Sequence, residues 1–257
     1  MFYFLIPLLS KQVAKDWDKV SELFNRTLWS CYNQTSPNFH IIVVCHEIPN
    51  LRHEFDERVE FISLSENVAP IPRDHEEKML DKGIKTHVGA MKIREYGAGF
   101  TMMVDGDDLV SNRIVEYVEK HPEENGFYVK KGYCYFPDND YFETMHKFSS
   151  GSANIVKYTQ EDLPSEMQKV VTANEDNNPW IIRKCHNGIV PACEAAGRPL
   201  KPLPFKAAVY VLGTGENHSL ELKTTKFQTR LREFVQLFEH KHKLKGKLKK
   251  EFSVDWV

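Results

Sequence analysis

Two apolar runs flank an amphipathic segment at the start of this chain, and they restrict its fold more than any other feature. Phe2 to Leu9 (FYFLIPLL) contains no polar side chain except one tyrosine hydroxyl, and His40 to Cys45 (HIIVVC) is nearly as apolar. A strand with one wet face alternates apolar and polar residues. Unbroken runs of this length belong to strands covered on both faces, as in a parallel sheet. Between them, Trp17, Val20, Phe24, Leu28 and Cys31 recur at helical spacing behind Asp16, a capping residue, and NQTSPN (Asn33 to Asn38) is a turn cluster. A strand, a helix and a second strand in this order close as a parallel crossover.

The alternation continues. Val59 to Leu64 reads as a third strand, Asp74 to Tyr96 as a helix stopped by Gly97 and Gly99, and FTMMV (Phe100 to Val104) as a fourth strand. Ser111 is placed to cap a helix with Ile114, Val115 and Val118 inside, ended by His121 and Pro122. Further on, Phe127 to Phe136, Ser152 to Tyr158 and AAVYVL (Ala207 to Leu212) have strand character, and Asn174 to Trp180 reads as a loop. From Thr225 a helix is expected to carry Phe227, Leu231, Phe234, Val235 and Phe238 into the lysine-rich HKHKLKGKLKKEF. With 257 residues and neither repeat nor linker, the expectation is one α/β domain: a mostly parallel central sheet flanked by helices, with a C-terminal helix.

Composition excludes several classes. Acidic and basic residues nearly balance, for a net charge of -2, so nothing draws the chain as a whole to nucleic acid. The five cysteines are scattered with no CxxC pair, which points to reduced thiols in a cytoplasmic setting. The apolar start lacks the basic region and cleavage site of a signal peptide, and no segment has the length of a membrane helix. The sequons at Asn25, Asn33 and Asn217 read as accidental, and HEEKM lacks the second histidine of a zinc protease motif.

The chemistry concentrates where the fourth strand ends. FTMMVDGDDLVSN places Asp105, Asp107 and Asp108 within four positions. Ligands of open α/β sheets bind beyond the carboxyl ends of strands, and hard oxygen ligands on a tight turn suit Mg²⁺ or Mn²⁺. Turn and N-cap hydrogen bonds would account for the same residues.

The order FYFLIPLLS, helix, SCYNQTSPNFHIIVVC and MMVDGDDLVS resembles the inverting glycosyltransferases of family 2 over about residues 1 to 120. Those enzymes share the GT-A fold, a Rossmann-like arrangement. The resemblance implies transfer of a sugar from a nucleotide-sugar donor, a UDP-sugar before others, to a glycan or lipid-linked acceptor in polysaccharide synthesis. It implies that Asp105 and Asp107 hold Mn²⁺ or Mg²⁺, with Asp108 as a substitute, that Asp105 and Gly106 border the donor, and that Pro7, Leu8 and Leu9 line the base pocket. It also divides the single domain 1–257 into a donor half (1–120), an acceptor half (121–225) and a basic helical tail (226–257).

Two departures stand out. Cys45, His46 and Glu47 replace an acidic pair after the second strand, leaving Glu47 to read the base. DKGIKTHVGAMK replaces an Arg-Asn pair, leaving Lys82 or Lys85 for the diphosphate. For the general base of an inverting transfer, Asp176 in TANEDNNPW stands first, with Glu175 beside it, and His186 in RKCHNGIV second. GTGENHS offers His218 as a third metal ligand, as in many GT-A enzymes, or simply a turn. SSGSANIVK (Ser149 to Lys157) has the small residues of a sheet edge that an acceptor can approach, and the lysine-rich tail could meet the anionic inner face of a membrane. A sugar nucleotidyltransferase and a non-catalytic nucleotide or carbohydrate binder are the rival readings. The first normally carries a glycine-rich phosphate loop that IPLLSKQVAKDW lacks.

Overall fold

The structure is a computed structural model that describes residues 1–137, 139–167, 180–215 and 238–254. Its larger sheet has seven strands in the order β10-β6-β9-β4-β1-β2-β3. These are β1 (Phe2–Pro7), β2 (Phe39–Cys45), β3 (Val59–Ser63), β4 (Gly99–Met103), β6 (Gly126–Tyr128), β9 (Asn154–Tyr158) and β10 (Lys201–Pro202). Strand β9 alone runs against the others, so the sheet is mostly parallel, as the apolar runs predict.

Both faces of the sheet are covered, which is why β1 and β2 carry so few polar residues. Phe2, Phe4 and Ile6 of the first strand and Leu8 just after it pack with Val20, Phe24, Leu28 and Cys31 of α1 (Trp17–Tyr32), and Tyr3 and Leu5 face the opposite way toward Ala90 and Ile93 of α2 (His75–Glu95). Each such fully buried large side chain contributes about 2 kcal/mol. Both helices start as predicted. The Asp16 side chain accepts from the Lys19 amide at 3.0 Å and that of Asp74 from the Glu77 amide at 2.9 Å. Helix α2 ends at a residue pair in the left-handed region, Gly97 (φ 96°) and Ala98 (φ 61°).

The second half departs from the sequence expectation. A separate five-stranded sheet forms in the order β12-β8-β7-β11-β5, from β5 (Leu109–Val110), β7 (Gly132–Tyr135), β8 (Tyr141–Met145), β11 (Ala208–Val211) and β12 (Phe238–Lys243). The run expected as one strand from Phe127 to Phe136 is therefore two, in different sheets. Ser111 does not cap the short α3 (Ile114–Glu119): Arg113 holds that position, and the Ser111 hydroxyl donates to Glu251 at 2.7 Å. The helix expected from Thr225 into the lysine-rich segment lies partly outside the described residues, and where it is described, Phe238–Lys243 is β12, paired antiparallel with β8. Period-based reasoning placed Phe238 on a helix face, whereas cross-strand pairing with Met145 claims it.

The C-terminal helix, α5 (Gly246–Glu251), is short. Leu244 and Phe252 around it are buried with Tyr133, Phe142 and Val209, which leaves the lysines outside.

Candidate functional site

The strand order brings the ends of β1 and β4 side by side, so the turns that follow them are neighbours. Leu8 touches Gly106: a Cβ on that glycine would lie 3.1 Å from Leu8 Cδ1. Pro7 and Leu8 are buried and Leu9 is half-buried beside them. Glu47, at the end of β2, accepts from the Lys11 amide at 3.0 Å and so ties the β1 turn to its neighbour. The structure brings these residues together after β1, β2 and β4.

The three aspartates have different positions. Asp108 is wholly buried; it accepts from Ser152 Oγ at 2.7 Å and from the Val211 amide at 3.2 Å, which joins the DGDD turn to both sheets. Burial first, and then the charges of Asp107 and Asp105, push its carboxyl well above the usual carboxylate range. Asp108 is thus a brace rather than an open ligand. An amide would serve the same two neighbours. Asp108→Asn is therefore expected to melt near the wild-type temperature, and Asp108→Ala to lose about 2–4 kcal/mol by leaving a buried amide and hydroxyl without partners. An alanine variant as stable as the parent in thermal unfolding would refute the brace.

Asp105 and Asp107 remain partly open to solvent. Asp105 is gripped on several sides: its amide donates to Ser152 Oγ at 3.0 Å, its Oδ2 accepts from the Gly151 amide at 3.0 Å, and its Oδ1 meets Lys82 Nζ at 2.5 Å. Burial favours its neutral form, but Lys82 outweighs this, with help from His186 and Gly151, and holds the carboxyl below its ordinary value. Asp107 has less compensation. Burial and the Asp105 charge raise its carboxyl to about 7 against the pull of Lys82. A cluster this short of positive charge suits a divalent cation. Among the described residues, no three His, Cys, Asp or Glu side chains converge to hold an ion by themselves. Asp105 and Asp107 are a two-carboxylate donor set, and phosphate oxygens would have to complete it.

Lys85 is not placed to meet a diphosphate. It is 1% exposed and donates to the Leu8 carbonyl and to Asp81, both at 2.7 Å. Its spacing from Lys82 puts it one turn deeper on α2, where it pins the β1 turn to the helix instead. Lys82 is the lysine that faces the carboxylates.

His186 opens α4 (His186–Ala195) and lies near the Gly151 turn, with Nε2 3.0 Å from Ser149 Oγ and its carbonyl accepting from Asn154 at 2.9 Å. The segment Ser149 to Lys157 is not a sheet edge. It is a 3-10 turn (Gly151–Ala153) followed by β9, which lies between β4 and β6, and its small residues exist to approach Asp105. Glu175, Asp176 and His218 lie outside the described residues.

Cys185 was passed over in the sequence, where only the histidine after it attracted notice. Its Sγ is 3.8 Å from His186 Nδ1, and that contact, opposed by burial, lowers the thiol to about 7. Burial instead raises Cys45 to about 11 and Cys134 to about 12, and lifts Cys31 and Cys193 as well. Iodoacetamide is therefore expected to label Cys185 first, with a rate midpoint near pH 7 that moves up in His186→Ala. Peptide mass spectrometry across a pH series would show this, and equal labelling of all five thiols would contradict it.

The NQTSPN phrase has a mechanical role in the same region. Gln34 Nε2 donates to the Ser111 carbonyl and its Oε1 accepts from the Val115 amide, both at 3.2 Å. The Thr35 amide donates to the Asn112 carbonyl at 2.8 Å. The turn after α1 thereby clamps the chain that leaves DGDD.

No family model matches this chain, and no curated protein matches its sequence. Among solved structures, the chain is similar in course to S. aureus TarS residues 1–349 in complex with UDP, at 12% identity and a TM-score of 0.47, over 91% of this chain and 70% of that one. The complex of the same protein with UDP-GlcNAc gives 11%, 0.47, 92% and 66%. A provisionally named nucleotide-diphospho-sugar transferase of Desulfovibrio desulfuricans G20 gives 11% identity and 0.36, over 92% and 96% of the two chains. At such values the likeness is one of chain course, and the chemistry must be read from the site itself.

Proposed function

We propose that this protein is a glycosyltransferase that moves a sugar from a nucleotide-sugar donor, a UDP-sugar first among them, onto a glycan or lipid-linked acceptor with inversion at the anomeric carbon. The observation that carries the reading is the grip on Asp105. A backbone amide and a lysine hold its partly exposed carboxylate at the carboxyl end of β4, and its own amide donates to a serine hydroxyl, beside the β1 turn and Asp107.

The nucleoside lies in this proposal over Pro7 to Leu9, with Glu47 and Gly106 at its border. Asp105 and Asp107 hold Mn²⁺ or Mg²⁺, with His218 as a further ligand. The ion, when bound, supplies Lewis acidity that stabilises the departing nucleoside diphosphate. Asp105 needs its grip for this role because a carboxylate already oriented loses no freedom when it engages a cation. The acceptor enters from the Ser149 and His186 side, and Asp176, Glu175 or His186 takes its proton. A cytoplasmic setting is consistent with the free thiols, and no helix among the described residues is long and apolar enough to cross a membrane. Leu244 and Phe252 are buried, so membrane contact of the lysine-rich tail draws on its lysines rather than on those two side chains.

Thermal unfolding with UDP, GDP, CDP and dTDP, each with Mn²⁺, Mg²⁺ or chelator, tests the reading. One nucleotide is expected to stabilise the protein only with metal, by about 2.7 kcal/mol at a hundredfold excess over Kd. No stabilisation by any pair would reject the donor site, and metal-dependent binding without sugar release would leave a non-catalytic binder.

A further inference from the structure

The Lys82 and Asp105 pair has a consequence for how donor and metal arrive. Lys82 Nζ sits 2.5 Å from Asp105 Oδ1, while the other carboxylate oxygen is taken by the Gly151 amide. The lysine thus covers the one Asp105 oxygen that no backbone group holds. Its charge faces Asp107 and Asp108 as well. A divalent cation approaching Asp105 would meet an ammonium already in contact with the carboxylate, and the two positive charges repel.

Lys82 is also built to leave. Its side chain is 31% exposed, on a flexible four-carbon stem. Its backbone is fixed, since Thr86 Oγ1 donates to the Lys82 carbonyl at 2.8 Å and Lys85, one turn on, is buried against Leu8 and Asp81. The stem can therefore swing while the helix stays still. A diphosphate between the β1 turn and Asp105 would offer the ammonium a second anion.

We infer that Lys82 is an exchangeable counter-ion: it occupies Asp105 in the empty protein and transfers to the donor's diphosphate as the metal takes the carboxylate. This rests on the glycosyltransferase reading and adds to it that metal and nucleotide bind with strong mutual enhancement, imposed by one side chain. Lys82 is a binding residue on this account, and it takes no proton from the acceptor.

The test measures Mn²⁺ alone by its paramagnetic resonance signal and UDP by calorimetry, with and without Mn²⁺, on wild type, Lys82→Met and Lys82→Arg. In wild type each ligand tightens the other by about tenfold or more. In Lys82→Met, Mn²⁺ alone binds about tenfold more tightly, UDP in chelator binds about tenfold more weakly, and the mutual enhancement falls toward one. Lys82→Arg keeps the charge and retains the enhancement. Melting of Lys82→Met without metal is expected to drop and to be restored by Mn²⁺, which separates lost charge balance from a failed fold.

Unchanged or weaker Mn²⁺ binding in Lys82→Met, beside wild-type protein that binds UDP with metal, overturns the exchange and leaves the glycosyltransferase reading standing. Wild-type protein that binds neither UDP, GDP, CDP nor dTDP under any condition overturns both.

Discussion

Gly151→Ala is expected to remove metal-dependent nucleotide binding almost completely, with a loss of about 100-fold or more in affinity, although residue 151 is not itself a proposed ligand. A Cβ at that position would lie 2.2 Å from Asp105 Oδ2 and 2.3 Å from Oδ1. Contacts that short cannot stand, so either the carboxylate turns away or the 3-10 turn moves. Turning away gives up the Gly151 amide and the Lys82 ammonium together. Moving the turn pulls Ser152 from both Asp105 and Asp108. Misplacement of a binding group by about 1 Å is enough for a loss of that size. The cost to stability is that of overpacking, about 1–3 kcal/mol, so the variant should still fold. Calorimetry with the nucleotide that stabilises the wild type decides the matter: unimpaired affinity in Gly151→Ala would show that Asp105 is not the group that binds.

Asp107→Asn is expected to abolish metal-dependent donor binding while making the empty protein more stable. The carboxyl of Asp107 is raised to about 7 by burial and by the Asp105 charge, from an ordinary value near 3.8. For an acid raised on folding, the native state binds the proton more tightly than the unfolded state. Between pH 4 and 7 the unfolded state therefore holds fewer protons, and stability falls as pH rises. Above pH 7 the whole penalty is present. An amide carries no charge to penalise, so Asp107→Asn should gain about 1–2 kcal/mol at pH 8, a discounted fraction of the shift because the side chain is partly solvated. The gain should shrink steadily toward pH 4. Melting curves at pH 8 and pH 5 test this: a variant less stable than wild type at pH 8 would refute the electrostatic account. Such a gain on neutralisation is the pattern a binding role for Asp107 predicts.

Some of the site was legible in the residues themselves. Asp105 and Asp107 drew attention because clustered charge at the end of a buried strand calls either for a bound cation or for turn and cap hydrogen bonds, and the residues alone leave both open. Pro7 to Leu9 came from the family resemblance, and the parallel pairing of β1 and β4 sets them next to the DGDD turn. Asp108 could not be told from its neighbours, since only the passage of Ser152 and Val211 on either side decides that it is a brace. Gly151 and Ser152 gave no signal of their role because their partner lies 46 or 47 residues away. Lys82 and Lys85 look alike in DKGIKTHVG, and a single helical turn separates the one at Asp105 from the one in the core. The paired phenylalanines from Thr225 misled at Phe238, where apolar periodicity cannot tell a helix face from an edge-strand contact.

Local sequence determined the parallel half of the molecule, because covered strands need unbroken apolar runs and helices need caps such as Asp16 and Asp74, and both requirements are met by neighbours in the chain. The tertiary structure alone decided the second sheet and the division of labour among three adjacent aspartates and two nearby lysines. Those assignments depend on which distant backbone amide, hydroxyl or carbonyl arrives beside each charge, and on how much water remains there, and neither quantity is written in the residues nearby.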